Sequence, residues 1–128
     1  MGIASALVFV LIAAASTWAV MSYLDRQYVS LHDGCAPRKP NHTITVKNND
    51  AVVSSDVILR CDTLSVINLD DTSRMMAFGV HDNHTSYDGV TEKVLNKGES
   101  FTVTLVQAGE FIVHDHDNDT VQAKFHVQ

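Results

Sequence analysis

Beyond residue 40 the chain falls into short runs in which apolar and polar side chains alternate, with turn-forming residues between them. Thr43 to Lys47 alternates around Ile44 and Val46 and stops at Asn48-Asn49-Asp50. Asp56 to Leu59 and Thr63 to Asn68 flank a tight Arg60-Cys61-Asp62 connection, and an apolar run over 75–79 leads into a loop. Ser100 to Gln107 puts Phe101, Val103 and Leu105 on one face, and Glu110 to His114 follows a turn at Ala108-Gly109. Val121 to Val127 sets Val121, Ala123, Phe125 and Val127 against Gln122, Lys124 and His126. Side chains two apart share a face of a strand, so each run predicts a half-buried β-strand. With no amphipathic helical period in this region, the pattern predicts an all-β, antiparallel sandwich or barrel over residues 41–128.

The N-terminus follows a different pattern. Met1 to Leu24 contains no Asp, Glu, Lys, Arg or His, and Ile3 to Leu24 is a run of 22 uncharged, mostly apolar residues. As a helix it would span about 33 Å, enough to cross a bilayer core. Residues 1–24 therefore predict one N-terminal hydrophobic helix, serving as a transmembrane anchor or a signal segment. Small residues at Ala13 to Ser16 could form a cleavage site, whereas Trp18 and Tyr23 suit a membrane interface and favour an anchor. Residues 25–40 are polar, hold both prolines and read as a linker.

Charge narrows the partners. Nine Lys and Arg against 15 Asp and Glu leave a net charge of −6, which offers no electrostatic footprint for nucleic acid. One core of this size excludes a multidomain enzyme. Cys35 and Cys61 are the only cysteines and lack metal-ligand spacing; behind an export-like segment they point to a disulfide rather than two free thiols. Arg26, Arg38 and Lys39 follow the apolar segment, and the positive-inside rule would keep the domain in the cytosol. The cysteine pair argues for the extracytoplasmic side, which is the expectation adopted: a single-pass membrane protein, or a secreted one if the segment is cleaved.

Seven histidines in so short a chain are the compositional anomaly, and four of them form two tight clusters, His81/His84 and His114/His116. Residues two apart in extended chain point to one side, so His114 and His116 can converge on one point. The spacing of His81 and His84 suits a turn that brings two imidazoles together. Imidazole is the ligand favoured by copper, zinc and nickel, and four from two loops would complete a site. His32, His42 and His126 are isolated and read as solvated surface groups. Of Met75 and Met76, a thioether ligand is the less expected reading and core packing the more expected one.

From Leu59 onward these residues carry a resemblance. Arg60-Cys61-Asp62-Thr63 through Asn68-Leu69-Asp70 resembles a "K-G-D-T-V-T-F-x-N-x-D" segment, and His81 to Tyr87 an "H-P-T-H-T-x-Y" segment. Leu95 to Phe101 resembles "L-x-P-G-E-S-F", Ala108 to Phe111 "P-G-x-[YFW]", and His114 to Asn118 "H-D-H-L-N". In that order they are similar to the cupredoxins, with a plastocyanin-like layout. The nearest in pattern are small bacterial cupredoxin-like proteins whose site loop reads H-D-H. The resemblance implies a Greek-key sandwich and copper on His81, His84, His114 and His116, with Tyr87 and Asp115 as possible groups orienting the imidazoles. Two departures qualify it. The family's first histidine aligns with Arg74, and no cysteine lies in the C-terminal loop, so no thiolate would make a blue site. Cys61 stands where the family has a turn glycine.

The expected function is thus a membrane-tethered, extracytoplasmic copper-binding protein, for copper holding, delivery or electron transfer to a redox or copper-transfer partner. Zinc is an alternative metal. A small copper enzyme handling superoxide or another oxidant, and a metal-free interaction module, are the alternative functions; the expectation leans away from an enzyme.

Overall fold

The computed structural model describes residues 16–17, 20–22, 35, 41–55 and 57–128. In the N-terminal unit, residues 16–17 and 20–22 are helical, and among the described residues no helix is long and apolar enough to cross a membrane. The rest of the expected N-terminal helix, and the linker apart from Cys35, lie outside the described residues.

Among the described residues the second unit has nine strands: β1 (Asn41–Lys47), β2 (Asp50–Val53), β3 (Thr63–Asn68), β4 (Arg74–Val80), β5 (Asn83–His84), β6 (Glu92–Leu95), β7 (Ser100–Thr104), β8 (Gly109–Asp115) and β9 (Asn118–Val127). They form two sheets. One has the order β2-β1-β3-β7, with β1 and β3 parallel; the other runs β5-β4-β8-β9, with β6 also paired to β4. The expected β-sandwich is therefore present.

Alternation explains the layering. His42, Ile44 and Val46 of β1, Leu64, Val66 and Asn68 of β3, and Val121, Ala123, Phe125 and Val127 of β9 are buried, while the residues between them are not. Fully burying a Val, Leu or Ile side chain is worth about 1.5–3 kcal/mol, so this face-by-face segregation fixes the register of each strand. A one-residue slip would turn the whole set to solvent. β4 is buried more completely because it lies between neighbours on both edges.

Several elements differ from the expected ones. Asp56 to Leu59 is not a strand: only an isolated bridge from Ile58 to Val127 forms, and Asp56 lies outside the described residues. The run from Ser100 ends as a strand at Thr104 rather than Gln107. β2, β5 and β6 were not anticipated. Asn48 and Asn49 both adopt positive φ (56° and 59°), the requirement of a two-residue type I′ hairpin turn, and this returns the chain as β2.

Cys35 and Cys61 are joined in a disulfide with their Cα atoms 4.9 Å apart. Cys61 has φ 75°, the left-handed conformation for which glycine is the usual residue. The bridge closes a span of 26 residues, which the chain-entropy account values at roughly 3 kcal/mol. His42 is not a surface group. It is buried, and its Nε2 lies 2.8 Å from Asp62 Oδ2, beside the disulfide turn.

Candidate metal centre

Both histidine clusters sit on hairpin tips of the second sheet. β4 and β5 pair Val80 with Asn83, which leaves His81-Asp82 as a two-residue turn. β8 and β9 pair Asp115 with Asn118, which leaves His116-Asp117 as another. The stretch after Val80 is thus a tight hairpin and not the loop its sequence suggests. β4 and β8 are antiparallel neighbours, with Ala77 opposite His114, so the two tips leave their ladder in opposite directions; the first meets the second because the chain turns back after Gly79 (φ 96°). A register irregularity between His114 and Asp115 re-aims the side chains at that end of β8.

The imidazoles meet there. The ring centroids of His81 and His116 are 5.0 Å apart, those of His84 and His116 4.9 Å, and those of His84 and His114 5.1 Å. One ligand nitrogen each from His81, His114 and His116 lies within 4.8 Å of the other two. His81 is exposed, His116 half-buried and His114 buried at 2% exposure. His84 belongs to the cluster of rings but not to that trio.

Hydrogen bonds assign the protons. Nδ1 of His114 lies 2.8 Å from the carbonyl oxygen of Gly79, and since a carbonyl only accepts, Nδ1 carries the proton. Nε2 is then a lone-pair nitrogen, and it is buried with no hydrogen-bond partner among the described residues. An unpartnered buried polar atom costs about 1–3 kcal/mol unless something satisfies it, and a metal ion would. The donor set therefore fits a metal that prefers imidazole. Burial holds the pKa of His114 below the usual histidine range, and the charges of His84, His81 and His116 add to this, against the bond that Nδ1 donates to Gly79 O. A neutral imidazole is the ligating form.

Gly79 is itself constrained. Its φ is +96°, and a Cβ there would stand 2.5 Å from the Asn83 carbonyl oxygen and 2.9 Å from the Thr85 nitrogen. Only glycine lets β5 fold back this closely, and that fold places His81 and His84 beside the carbonyl that orients His114.

Arg74 occupies the position where the resemblance expects a ligand. Its side chain is buried, and it donates from Nη1 to Asp115 Oδ2 (2.8 Å) and from Nη2 to Asp70 Oδ2 (2.7 Å) and to Asn49 Oδ1. The bond to Asp115 leads in raising the arginine's pKa, so it is a fixed cation. Burial alone would push Asp70 up, but the N–H groups of Asn48 and Asn49 and the arginine outweigh it and leave the carboxyl below its usual range. Asp115, between the two histidines, is 1% exposed. It braces the H-D-H tip through Arg74 and accepts from the Asp117 backbone N–H, instead of bonding an imidazole. The backbone N–H of His116 donates to Met75 O, which ties the same tip to β4.

Tyr87 also works away from the imidazoles. Its hydroxyl donates to Gln107 O and accepts from Gln107 N–H, and its ring packs on Phe78 and Phe111 in the core. Met76 is fully buried in that core. Neither cysteine can be a thiolate ligand while they are bonded to each other. Sequence reasoning missed Arg74 as a brace, the Gly79 carbonyl, and Glu92, whose Oε2 lies 3.2 Å from Nδ1 of His84. Only the spacing of Arg74 marked any of them in advance.

Solved structures with the same arrangement include amicyanins. A reduced tryptophan-to-tyrosine mutant superposes with TM-score 0.52 at 13% identity, over 67% of this chain and 80% of that one. A proline-to-glycine mutant in its reduced Cu(I) form at pH 4 gives 0.54 at 14%, over 71% and 85%. An oxidized methionine-to-leucine mutant gives 0.53 at 14%, over 75% and 84%. The chain has the cupredoxin fold. No protein-family model matches the chain, and no curated protein is significantly similar to it in sequence. Within the cupredoxin fold, then, the identity of the side chains at the hairpin tips decides the chemistry.

Proposed function

We propose that this cupredoxin-fold domain holds one copper ion through His81, His114 and His116, with His84 beside them. The observation that carries the reading is the buried, unpartnered Nε2 of His114 among imidazoles on neighbouring tips. When bound, copper would supply one-electron chemistry or serve as cargo. Copper is preferred to zinc because Cu(II) heads the divalent affinity order for nitrogen ligands and because a similar solved amicyanin is in the Cu(I) form. The chain's own residues would orient the ligands: Gly79 O fixes the tautomer of His114, and Arg74 with Asp115 holds the second tip. With both cysteines in a disulfide, the centre would lack a thiolate and would not be blue. Copper holding, delivery to a partner protein or slow electron exchange suits such a site.

Exposure of His81 favours a second reading, a small copper enzyme acting on an oxidant that reaches the ion from solvent. Turnover of superoxide or peroxide by the loaded protein would distinguish it from a carrier. Residues 1–24 would tether or export the domain to the extracytoplasmic side, a proposal supported by the uncharged 22-residue run and by the Cys35–Cys61 disulfide. Protease accessibility in intact cells, with the mass of the mature chain, tests both parts. For the metal itself, the full chain purified without added metal and titrated with Cu(II) against a competing chelator should take up one tight equivalent. No tight equivalent near neutral pH would overturn the reading.

A further inference from the structure

The fourth histidine stands differently from the other three. Both of its ring nitrogens are engaged within the protein: Nδ1 lies 3.2 Å from Glu92 Oε2, and Nε2 lies 3.1 Å from Nδ1 of His116. The carboxylate beside Nδ1 favours a proton on that nitrogen, so in the neutral cluster Nε2 of His84 is its lone pair. Nδ1 of His116 must then be the donor to His84. It follows that the lone pair of His116 is on Nε2. The chain Glu92–His84–His116 selects one tautomer of a ligand, as the Gly79 carbonyl does for His114.

Sheet register explains how a carboxylate comes to stand there. On β4, Ala77 pairs with Glu92 of β6 on one side and with His114 of β8 on the other. Glu92 and His114 thus flank one residue of the central strand in a row across the sheet. β5, which carries His84, continues along the same edge of β4 past the end of β6. His84 is enclosed, with its side chain 17% exposed, whereas Glu92 is 51% exposed and reaches in from the rim.

We propose that His84 is a positioning residue, held by Glu92, which fixes the tautomer of His116 so that Nε2 meets the ion, and that the copper centre has three imidazole ligands. This rests on the copper reading above. Outer groups of this kind commonly change metal affinity about tenfold or more.

The test uses the full chain with ¹⁵N-labelled histidine, first metal-free and then loaded with one equivalent of Cu(II). Long-range ¹H–¹⁵N spectra of the metal-free protein should show His116 protonated at Nδ1 in the wild type and in His84→Gln, whose amide can accept from His116 and donate to Glu92. In His84→Ala and Glu92→Ala that preference should be lost. Pulsed EPR of the loaded protein should count three imidazoles in the wild type and in every variant. Copper affinity should stay within about threefold in His84→Gln and fall about tenfold in His84→Ala. Four imidazoles in the wild type, falling to three in His84→Gln, would make His84 a ligand and overturn the proposal. So would a His116 tautomer unchanged in His84→Ala. A wild type that takes no copper overturns the copper reading and the proposal with it, a result distinct from a loaded site with four imidazoles.

Discussion

The two hairpin tips that build the site carry the same three residues in the same order, His81-Asp82-Asn83 and His116-Asp117-Asn118, and each turns the chain in two residues. Their surroundings differ. Behind the second tip, Asp115 and His114 are buried, Arg74 pairs with Asp115, and the His116 N–H is tied to β4. Around the first tip, His81, Asp82 and Asn83 are all exposed, and β5 is two residues long. Identical local sequence therefore gives one braced and one open half-site. Rigidity here comes from what the neighbouring strands supply, and the account assigns affinity to the braced half and access to the open one.

The largest expected effect falls on the brace. Arg74→Leu leaves Asp115 as a buried carboxylate without its cation and should cost the metal-free protein about 3–5 kcal/mol in urea unfolding. The double variant Arg74→Leu/Asp115→Leu should recover a substantial part of that loss, since it removes both charges. Asp82→Ala, on the exposed turn of the open tip, should stay within about 0.5 kcal/mol. Equal costs at Arg74 and Asp82 would erase the distinction between the tips.

Copper affinity should follow the same asymmetry at smaller scale. His114→Ala and His116→Ala are expected to weaken binding about a hundredfold, and His81→Ala about tenfold, in chelator competition. A His81 variant as damaged as the His116 variant would mean that preorganisation contributes nothing. Below these comes Tyr87→Phe. It breaks the paired bonds to Gln107 and should cost about 1 kcal/mol of stability while leaving copper affinity unchanged. A loss of copper with stability intact would return Tyr87 to the site.

The smallest effect is that of pH on the braced tip. His114 takes up a proton less readily folded than unfolded, so its contribution to stability is complete above about pH 6.5 and is lost as pH falls through the lower folded value. The metal-free protein should therefore have a lower urea midpoint at about pH 5 than at about pH 7.5, and His114→Gln should flatten that dependence. An unchanged slope would show that burial of this imidazole does not set the local energetics.

Much of this fold was legible because alternation and burial agree. Thr63–Asn68 and the inward face of β9 are as the period-two pattern has them. The same pattern, extended one step back from Ile44 and Val46, puts His42 on the core face, and a lone histidine at the start of a strand hides that signal. β2 escaped because Asn48-Asn49 reads as the end of a strand unless positive φ is expected at both positions. β6 escaped because three of its four residues are exposed and two are charged, as suits an edge strand. At the site, the spacing of the histidines brought out the four rings. It could not separate the trio from His84, because that distinction depends on Glu92, Gly79 and Arg74, which only strand pairing brings to the imidazoles.

The central claim is a copper centre of imidazoles without a thiolate on a cupredoxin fold. The most direct measurement is the optical and EPR spectrum of the full chain as Cu(II) is added to one equivalent, with the disulfide intact by thiol alkylation and mass. The account predicts one tight equivalent, imidazole nitrogen couplings, a wide copper hyperfine splitting and no intense visible charge-transfer band. A deep-blue protein with compressed hyperfine splitting would mean that Cys35 or Cys61 reaches the metal, and would contradict it.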